Sequence, residues 1–475
     1  VPGSCGDLPG TYSHVNDIQE EQIVGKADFL YSGFVSRLHY EPTSCQEGLL
    51  RKVADFVSSD DSDILVVNGY AGTGKTSLIS ALVRTMDQLE RKTVLLAPTG
   101  RAAKVFSSYS GKSARTIHKC IYRQKSIMDS SVFTLSENRM RNTLFIVDEA
   151  SMISNESNAM TGANGLLDDL IEFVYSGCGC SLLLLGDTAQ LPPVGEWQSP
   201  ALTESYLRSM FLNVKSVELR QVMRQLNDSG ILFNATMLRE KIENEDAYCL
   251  PKVELKGFPD ICSVHGDELI ESIETCYDRT GVEETIILCR SNKRANVYNE
   301  GIRRRILYRE EELSRGDMLM IVKNNYYWRE VLGREDKALL EKLDFIANGD
   351  MAQIVRVHGV EEMYGFRFAD VTLSLIDYED CEIDVKIMLN TLTSESPSLT
   401  KEENERLFNA VWEDYPEIRS KRKRMEEIRK NPYYNALQVK YGYAVTCHKA
   451  QGGEWKRVFI DQGYITEDMI SPDYY

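Results

Sequence analysis

One eight-residue stretch constrains this chain more than any other: Gly69-Tyr70-Ala71-Gly72-Thr73-Gly74-Lys75-Thr76. It fits the spacing G-x-x-x-x-G-K-[ST], and its flanks agree, with a compact apolar run at 64–67 that reads as a strand and a helical pattern at 77–83. Strand, glycine-rich turn and helix in that order build a cradle for phosphate. The glycines let backbone N–H groups turn inward onto phosphate oxygens, and the helix contributes its positive N-terminal end. Lys75 is expected to reach the β and γ phosphates and Thr76 to ligate Mg²⁺, which makes a nucleoside triphosphate the expected ligand.

The surrounding pattern is that of a parallel sheet covered by helices. Short apolar runs at 93–97, 144–147 and 182–185 each end at a polar or glycine-bearing loop, and in such sheets ligands bind beyond the carboxyl ends of the strands. The run 144–147 delivers Asp148 and Glu149, a pair suited to phosphoryl transfer, with Asp148 holding the metal and Glu149 activating water. The run 182–185 leads into Gly186-Asp187-Thr188-Ala189-Gln190-Leu191-Pro192-Pro193, where Gln190 is placed to orient the attacking water or sense the γ-phosphate.

A second stretch of the same kind is split, with one strand expected at 285–289 and another at 458–461. The insert between them, about 315–438, has short alternating runs at 318–322 and 354–357 around Asn348-Gly349-Asp350, which predicts a small barrel. A helix is expected from Thr400, three residues before Glu403 in capping-box spacing.

At 475 residues, two to four domains are expected. The 43% hydrophobic and 27% charged content is that of a globular chain, with no apolar run near the roughly 20 residues of a membrane-spanning helix. Eleven cysteines without CxxC pairs argue against a zinc module or a disulfide framework, so a reducing, cytoplasmic setting is expected. Residues 1–14 lack the apolar stretch of a secretory signal and read as a tag remnant or an arm. A net charge of −17 works against binding a polyanion and predicts modest, salt-sensitive affinity through a local groove.

The order of the motifs resembles superfamily 1B helicases, close to the RecD/TraA-like group and to the phage Dda type. Ala97-Pro98-Thr99-Gly100-Arg101-Ala102-Ala103, Thr116-Ile117-His118, Asp148-Glu149-Ala150-Ser151, Gly186 to Pro193, Val222-Met223-Arg224-Gln225 and Thr446-Cys447-His448-Lys449-Ala450-Gln451-Gly452-Gly453-Glu454 carry the likeness. The resemblance implies an α/β fold of two RecA-like parallel-sheet domains, 1A and 2A, with a 1B hairpin insert at about 121–141 and an SH3-like β-barrel 2B insert. It divides the chain into an arm at 1–35, domain 1A at 36–230, the first part of 2A at 231–314, 2B at 315–438 and the second part of 2A at 439–475.

The site residues follow from the same resemblance. Lys75, Glu149, Gln190 and Arg224 form the catalytic set, with Arg224 touching the γ-phosphate from between the sheets. ATP binding is assigned to Gln46, which reads adenine, and to Gly72, Thr73, Gly74, Lys75, Thr76, Ser77, Gly452 and Glu454. Thr76 and Asp148 take Mg²⁺, and Pro98, Thr99, Thr116, His118, Thr446 and His448 contact DNA. The implied activity is ATP-dependent unwinding by 5′-to-3′ movement of a monomer on single-stranded DNA and at single-strand/duplex junctions. A further arginine-bearing motif is implied beyond Tyr475, and without it hydrolysis is expected to fall about 10³-fold or more.

Another function class shares every ATP residue: a single-strand translocase or protein-displacing ATPase that separates no duplex. The hairpin at 121–141 discriminates the two. Trp197 and Tyr327 are candidates either for stacking on bases or for the core. Arg303-Arg304-Arg305 and Lys421-Arg422-Lys423-Arg424 read as solvated helix faces, the second paired with Glu426 and Glu427.

Overall fold

The computed structural model describes residues 25–59, 63–70, 72–124, 133–155, 165–193, 198–210, 212–221, 229–244, 251–334, 345–376 and 381–463, together with residues 196, 343 and 378. The first unit runs α1 (Ser44–Ser58), β1 (Ile64–Gly69), α2 (Lys75–Gln88), β2 (Thr93–Ala97), α3 (Gly100–Ser110), β3 (Ala114–Thr116), α4 (Ile117–Ile121), β4 (Tyr122–Gln124), β5 (Phe133–Leu135), β6 (Leu144–Val147), α5 (Leu166–Ser176), β7 (Ser181–Gly186) and β8 (Val214–Leu219). Six of these strands form one parallel sheet in the order β3-β2-β6-β7-β1-β8.

Successive side chains on a strand point to opposite faces, so each central strand feeds two cores. Leu65, Val67, Ile146, Leu183 and Leu185 pack with α1 and α2, whereas Ile64, Val66, Phe145, Val147, Leu182 and Leu184 pack with α5. Burial on both faces is why these strands appear in the sequence as unbroken apolar runs rather than alternations. Strands β4 and β5 pair as a separate antiparallel hairpin between the second and third expected runs, and residues 125–132 of that hairpin lie outside the described residues.

Helix α6 (Gly230–Glu243) follows, and the second unit then runs β9 (Thr285–Cys289), α7 (Asn292–Arg305), β10 (Met318–Ile321), β11 (Met351–Met363), β12 (Phe366–Leu375), β13 (Glu382–Met388), α8 (Lys401–Glu413), α9 (Lys421–Lys430), β14 (Leu437–Tyr441), β15 (Ala444–Thr446) and β16 (Arg457–Ile460). Strands β15, β9 and β16 form a second parallel sheet, while β10 to β14 close into a five-stranded barrel. The fold is therefore the expected one: two RecA-like parallel sheets, a hairpin insert in the first and a barrel insert in the second. Helix α8 begins with the expected capping box, Thr400 Oγ1 accepting from Glu403 N at 3.2 Å and Glu403 Oε2 accepting from Thr400 N at 2.9 Å.

One surface expectation is corrected. Arg303 is not a solvated side chain but is 7% exposed, and its guanidinium donates to Asp317 at 3.0 and 2.9 Å from the base of the barrel. Arg304 does lie on the surface, paired with Glu300 at 2.9 Å. In the second basic cluster Arg422 pairs with Glu426 one turn on, as a helix face predicts. Tyr327 is half-buried, edge-on to Trp328 at 5.1 Å with its hydroxyl donating to Lys430 O, a packing role; Trp197 lies outside the described residues.

Candidate active site

The phosphate loop takes its shape from residues that a side chain would spoil. Gly72 and Gly74 have φ of 78° and 84°, the left-handed region where glycine carries no penalty. A Cβ on Gly69 would lie 2.6 Å from Lys75 Cδ, so its absence lets the lysine fold back over the strand end, where the ammonium donates to Gly69 O. Thr73 is fully buried and donates to Tyr70 O at 2.7 Å, and its own carbonyl accepts from Gln46 Nε2 at 2.9 Å. Gln46 is fixed in turn by the capping box of α1, its Oε1 accepting from Thr43 N at 3.0 Å. Thr76 and Ser77 stand exposed on the first turn of α2.

Opposite the loop, β6 ends at the two acids. Asp148 Oδ1 accepts from Glu149 N at 2.9 Å and Oδ2 accepts from the Tyr109 hydroxyl at 2.5 Å. Burial, reinforced by the charge of Asp148, pushes the Glu149 carboxyl up to about 7, although Lys75 and a hydrogen bond with Gln190 pull the other way. Gln190 also accepts from Ser151 Oγ at 3.0 Å. Lys75, Asp148, Glu149 and Gln190 thus share one edge of the sheet. The repulsion between the two acids is a local excess of negative charge that suits a divalent cation.

Three expected contributors remain: Arg224, Gly452 and Glu454. Arg224 lies outside the described residues. Gly452, at φ 74°, faces Ala102 of α3, where a Cβ would lie 3.4 Å from the alanine methyl, and Glu454 is exposed. The structure adds a residue that motif reading missed. Arg239 of α6 lies 3.9 Å over the Tyr70 ring and 3.8 Å from the Asp187 carboxylate, with its side chain 8% exposed. The available signal was its position seven residues after Leu232, on the buried face of α6.

The residues expected along the track come from both sheets. Strands β2 and β3 pair in parallel with Ala97 opposite Thr116, so their carboxyl ends bring Thr99 and Thr116 to one edge. Both hydroxyls serve as helix caps: Thr99 accepts from Ala102 N at 3.2 Å and the buried Thr116 from Lys119 N at 3.3 Å. Pro98 is half-buried beside them. His118 is half-buried with Nδ1 lacking a hydrogen-bond partner, and burial lowers its pKa. From the second sheet, Thr446 is half-buried at the end of β15 and His448 is exposed. The loop after β15 docks back on the first unit, Gln451 Nε2 donating to Leu191 O at 3.0 Å and Trp455 lying under Arg101 at 4.3 Å.

Comparison with known proteins agrees with this arrangement. An AAA domain matches residues 46–248 and a UvrD-like helicase C-terminal domain matches residues 441–474, the loop and strands just described. An uncharacterized protein of Acanthamoeba polyphaga mimivirus is 23% identical over 500 residues, covering 88% of this chain and 92% of its own. The ATP-dependent DNA helicase Dda of Enterobacteria phage T4 is 23% identical over 427 residues, covering 83% of this chain and 87% of its own. The ATP-dependent RecD2 DNA helicase of Deinococcus radiodurans is 30% identical over 193 residues, 40% of this chain and 24% of its own. Among solved structures, the Pif1 helicase from Candida albicans covers 92% of this chain and is itself covered to 91%, at a TM-score of 0.42 and 15% identity. A phosphate loop in a first parallel sheet, a segment like a helicase C-terminal domain in a second, and likeness to Dda over 83% of this chain make it similar to the superfamily 1B helicases.

Proposed function

We propose that this chain is an ATP-dependent DNA helicase that moves along single-stranded DNA in the 5′-to-3′ direction and couples hydrolysis to duplex unwinding, working as a monomer at single-strand/duplex junctions. The observation that carries the reading is the convergence of Lys75, Asp148, Glu149 and Gln190 at one edge of the first sheet, with the loop after β15 docked beside it from the second. The names of two relatives, each an ATP-dependent DNA helicase, support DNA as the track.

In this reading Lys75 holds the β and γ phosphates on the N–H groups of Gly72, Thr73 and Gly74, with Ser77 following in the helix. Gln46 serves the adenine side and clamps the loop through Thr73 O. Thr76 and Asp148 would hold Mg²⁺, which when bound offsets charge on the transferring phosphoryl group. Glu149, raised toward neutrality, is matched to taking a proton from water, and Gln190 orients that water. Arg224 is assigned the γ-phosphate contact, and Gly452 and Glu454 are assigned to ATP. Pro98, Thr99, Thr116 and His118 grip DNA from 1A, and Thr446 and His448 from 2A, so opening and closing of the cleft advances one grip past the other. The proposed division is 1A at 36–230 with its hairpin, 2A at 231–314 and 439–475, and 2B at 315–438.

The test is steady-state ATP hydrolysis with and without single-stranded DNA, for this chain and for one extended past Tyr475, with Lys75→Ala as the blank. DNA stimulation that disappears in Lys75→Ala is expected, followed by unwinding of 5′-tailed but not 3′-tailed duplexes. Hydrolysis indifferent to DNA in the extended chain overturns the reading. Stimulated hydrolysis without unwinding of either substrate turns it into the translocase.

A further inference from the structure

Helix α3 connects three places that the proposed function keeps separate. Its N-cap is Thr99, next to Pro98, in the segment proposed to grip DNA. Its first turns touch what lies across the cleft. Ala102 faces Gly452, and Gly100 is so close to the barrel loop that a Cβ there would lie 2.2 Å from Ala347 Cβ. Lys104 lies 3.8 Å from the Asp350 carboxylate and 3.0 Å from the centre of the Tyr378 ring. Its last turn carries Tyr109, whose hydroxyl donates to Asp148 Oδ2 at 2.5 Å.

The geometry at that last contact is tightly held. The Tyr109 ring stacks on the fully buried Phe106 with centroids 5.2 Å apart and planes 26° from parallel. Because Asp148 Oδ1 is already taken by the N–H of Glu149, the hydroxyl of Tyr109 governs the other oxygen. From Thr99 to Tyr109 the helix spans about 15 Å at roughly 1.5 Å per residue, short enough to move as a rod.

We propose that Tyr109 is a positioning residue that couples the DNA grip to the ATP site: a shift of α3 when DNA seats at Pro98 and Thr99 moves the hydroxyl that orients Asp148. The proposal rests on the function proposed above, in which Asp148 serves ATP and the start of α3 serves DNA. Hydrogen bonds weaken steeply as their angle opens, so a small displacement at the far end of a stiff helix re-aims the carboxylate. Partners one step removed from a metal-holding carboxylate typically matter by 10- to 100-fold. Coupling of this kind is reciprocal, so ATP must also change DNA affinity through the same bond.

The experiment is Tyr109→Phe in the full chain, which removes one oxygen and leaves the stack on Phe106. Two readouts are taken: ATP hydrolysis with and without oligo-dT, and equilibrium anisotropy of labelled oligo-dT with and without a non-hydrolysable ATP analogue and Mg²⁺. The second needs no turnover. The variant is expected to lose more of its DNA-stimulated rate than of its DNA-free rate, so that the fold-stimulation drops by about 10-fold. The analogue should also cease to change its DNA affinity. Equal loss of both rates with the affinity ratio intact marks a merely structural role and overturns the proposal, as does a variant indistinguishable from the parent. Should Tyr109→Phe fail to fold, Tyr109→His keeps a ring donor: an affinity ratio between the parent's and one supports the proposal, and a ratio equal to the parent's overturns it. A parent chain whose hydrolysis ignores DNA fails the function itself, whereas a responsive parent matched by Tyr109→Phe fails only the coupling.

Discussion

Asp317 has no solvent exposure, and its oxygens accept from Arg303, from Arg309 at 2.6 Å and from the Tyr443 hydroxyl at 2.8 Å. Burial works to raise its pKa, but the hydrogen bonds from the two arginines outweigh it and hold the carboxyl below the usual range. A carboxyl depressed in the folded state stabilises the fold above its ordinary pKa, and that contribution disappears as pH falls through the folded value. Asp317→Ala leaves two guanidinium groups short of their counter-charge, one of them buried, and is expected to cost about 3–5 kcal/mol, read from denaturant unfolding at neutral pH. The deficit relative to the parent should shrink in acid. A neutral-pH cost below about 1 kcal/mol would count against the network. The same residues show where sequence reading stops. Arg303 sits in a run of three arginines and looks solvated until the fold brings Asp317 against it. Tyr109 and Asp148 are likewise joined only by tertiary structure.

Elements were more legible than individual contacts, because strand periodicity and capping are local. The runs at 93–97, 144–147 and 285–289 coincide with β2, β6 and β9, and Thr400 with Glu403 marked the start of α8. The length of β11, 13 residues, was underread from an apolar core at 354–357, since its distal half faces solvent and carries His358, Glu361 and Glu362. Two capping boxes now make a paired prediction. Thr43→Ala and Thr400→Ala should each lower stability by about 1 kcal/mol in thermal melts. Only Thr43→Ala should also raise KM for ATP, because the hydroxyl that it removes accepts from Gln46 N, and Gln46 Nε2 holds the carbonyl of Thr73. Equal KM values in the two variants would separate Gln46 from the nucleotide.

At the scale of the molecule, a net charge of −17 must accommodate a polyanionic track. The residues proposed to touch DNA are threonines, a proline and histidines, and the nearby cations Arg101 and Lys104 are engaged with Trp455 and with Asp350 and Tyr378. Few phosphates are therefore neutralised. The logarithm of DNA affinity should fall with the logarithm of salt at a slope no steeper than about −2, which corresponds to roughly three neutralised phosphates on a single strand. A slope of about −5, measured by fluorescence titration, would require a basic groove elsewhere. None of the described helices is long and apolar enough to cross a membrane.

The second sheet is assembled from strands far apart in the chain. Strand β9 pairs with β15 and β16, yet roughly 150 residues separate them, and the whole barrel is threaded between. On a ribosome adding about 5–20 residues per second, β9 emerges some 8–30 seconds before its first neighbour exists. Ile286 and Ile287 share a core with Ile273, Tyr277, Ala295 and Ile302, close by in the chain, but both hydrogen-bonding edges of β9 stay unpaired for that interval. Production of this protein is therefore a race between translation and the capture of two open strand edges. Slower growth temperatures or a bound holdase would be expected to change the soluble yield, long before any helicase chemistry begins.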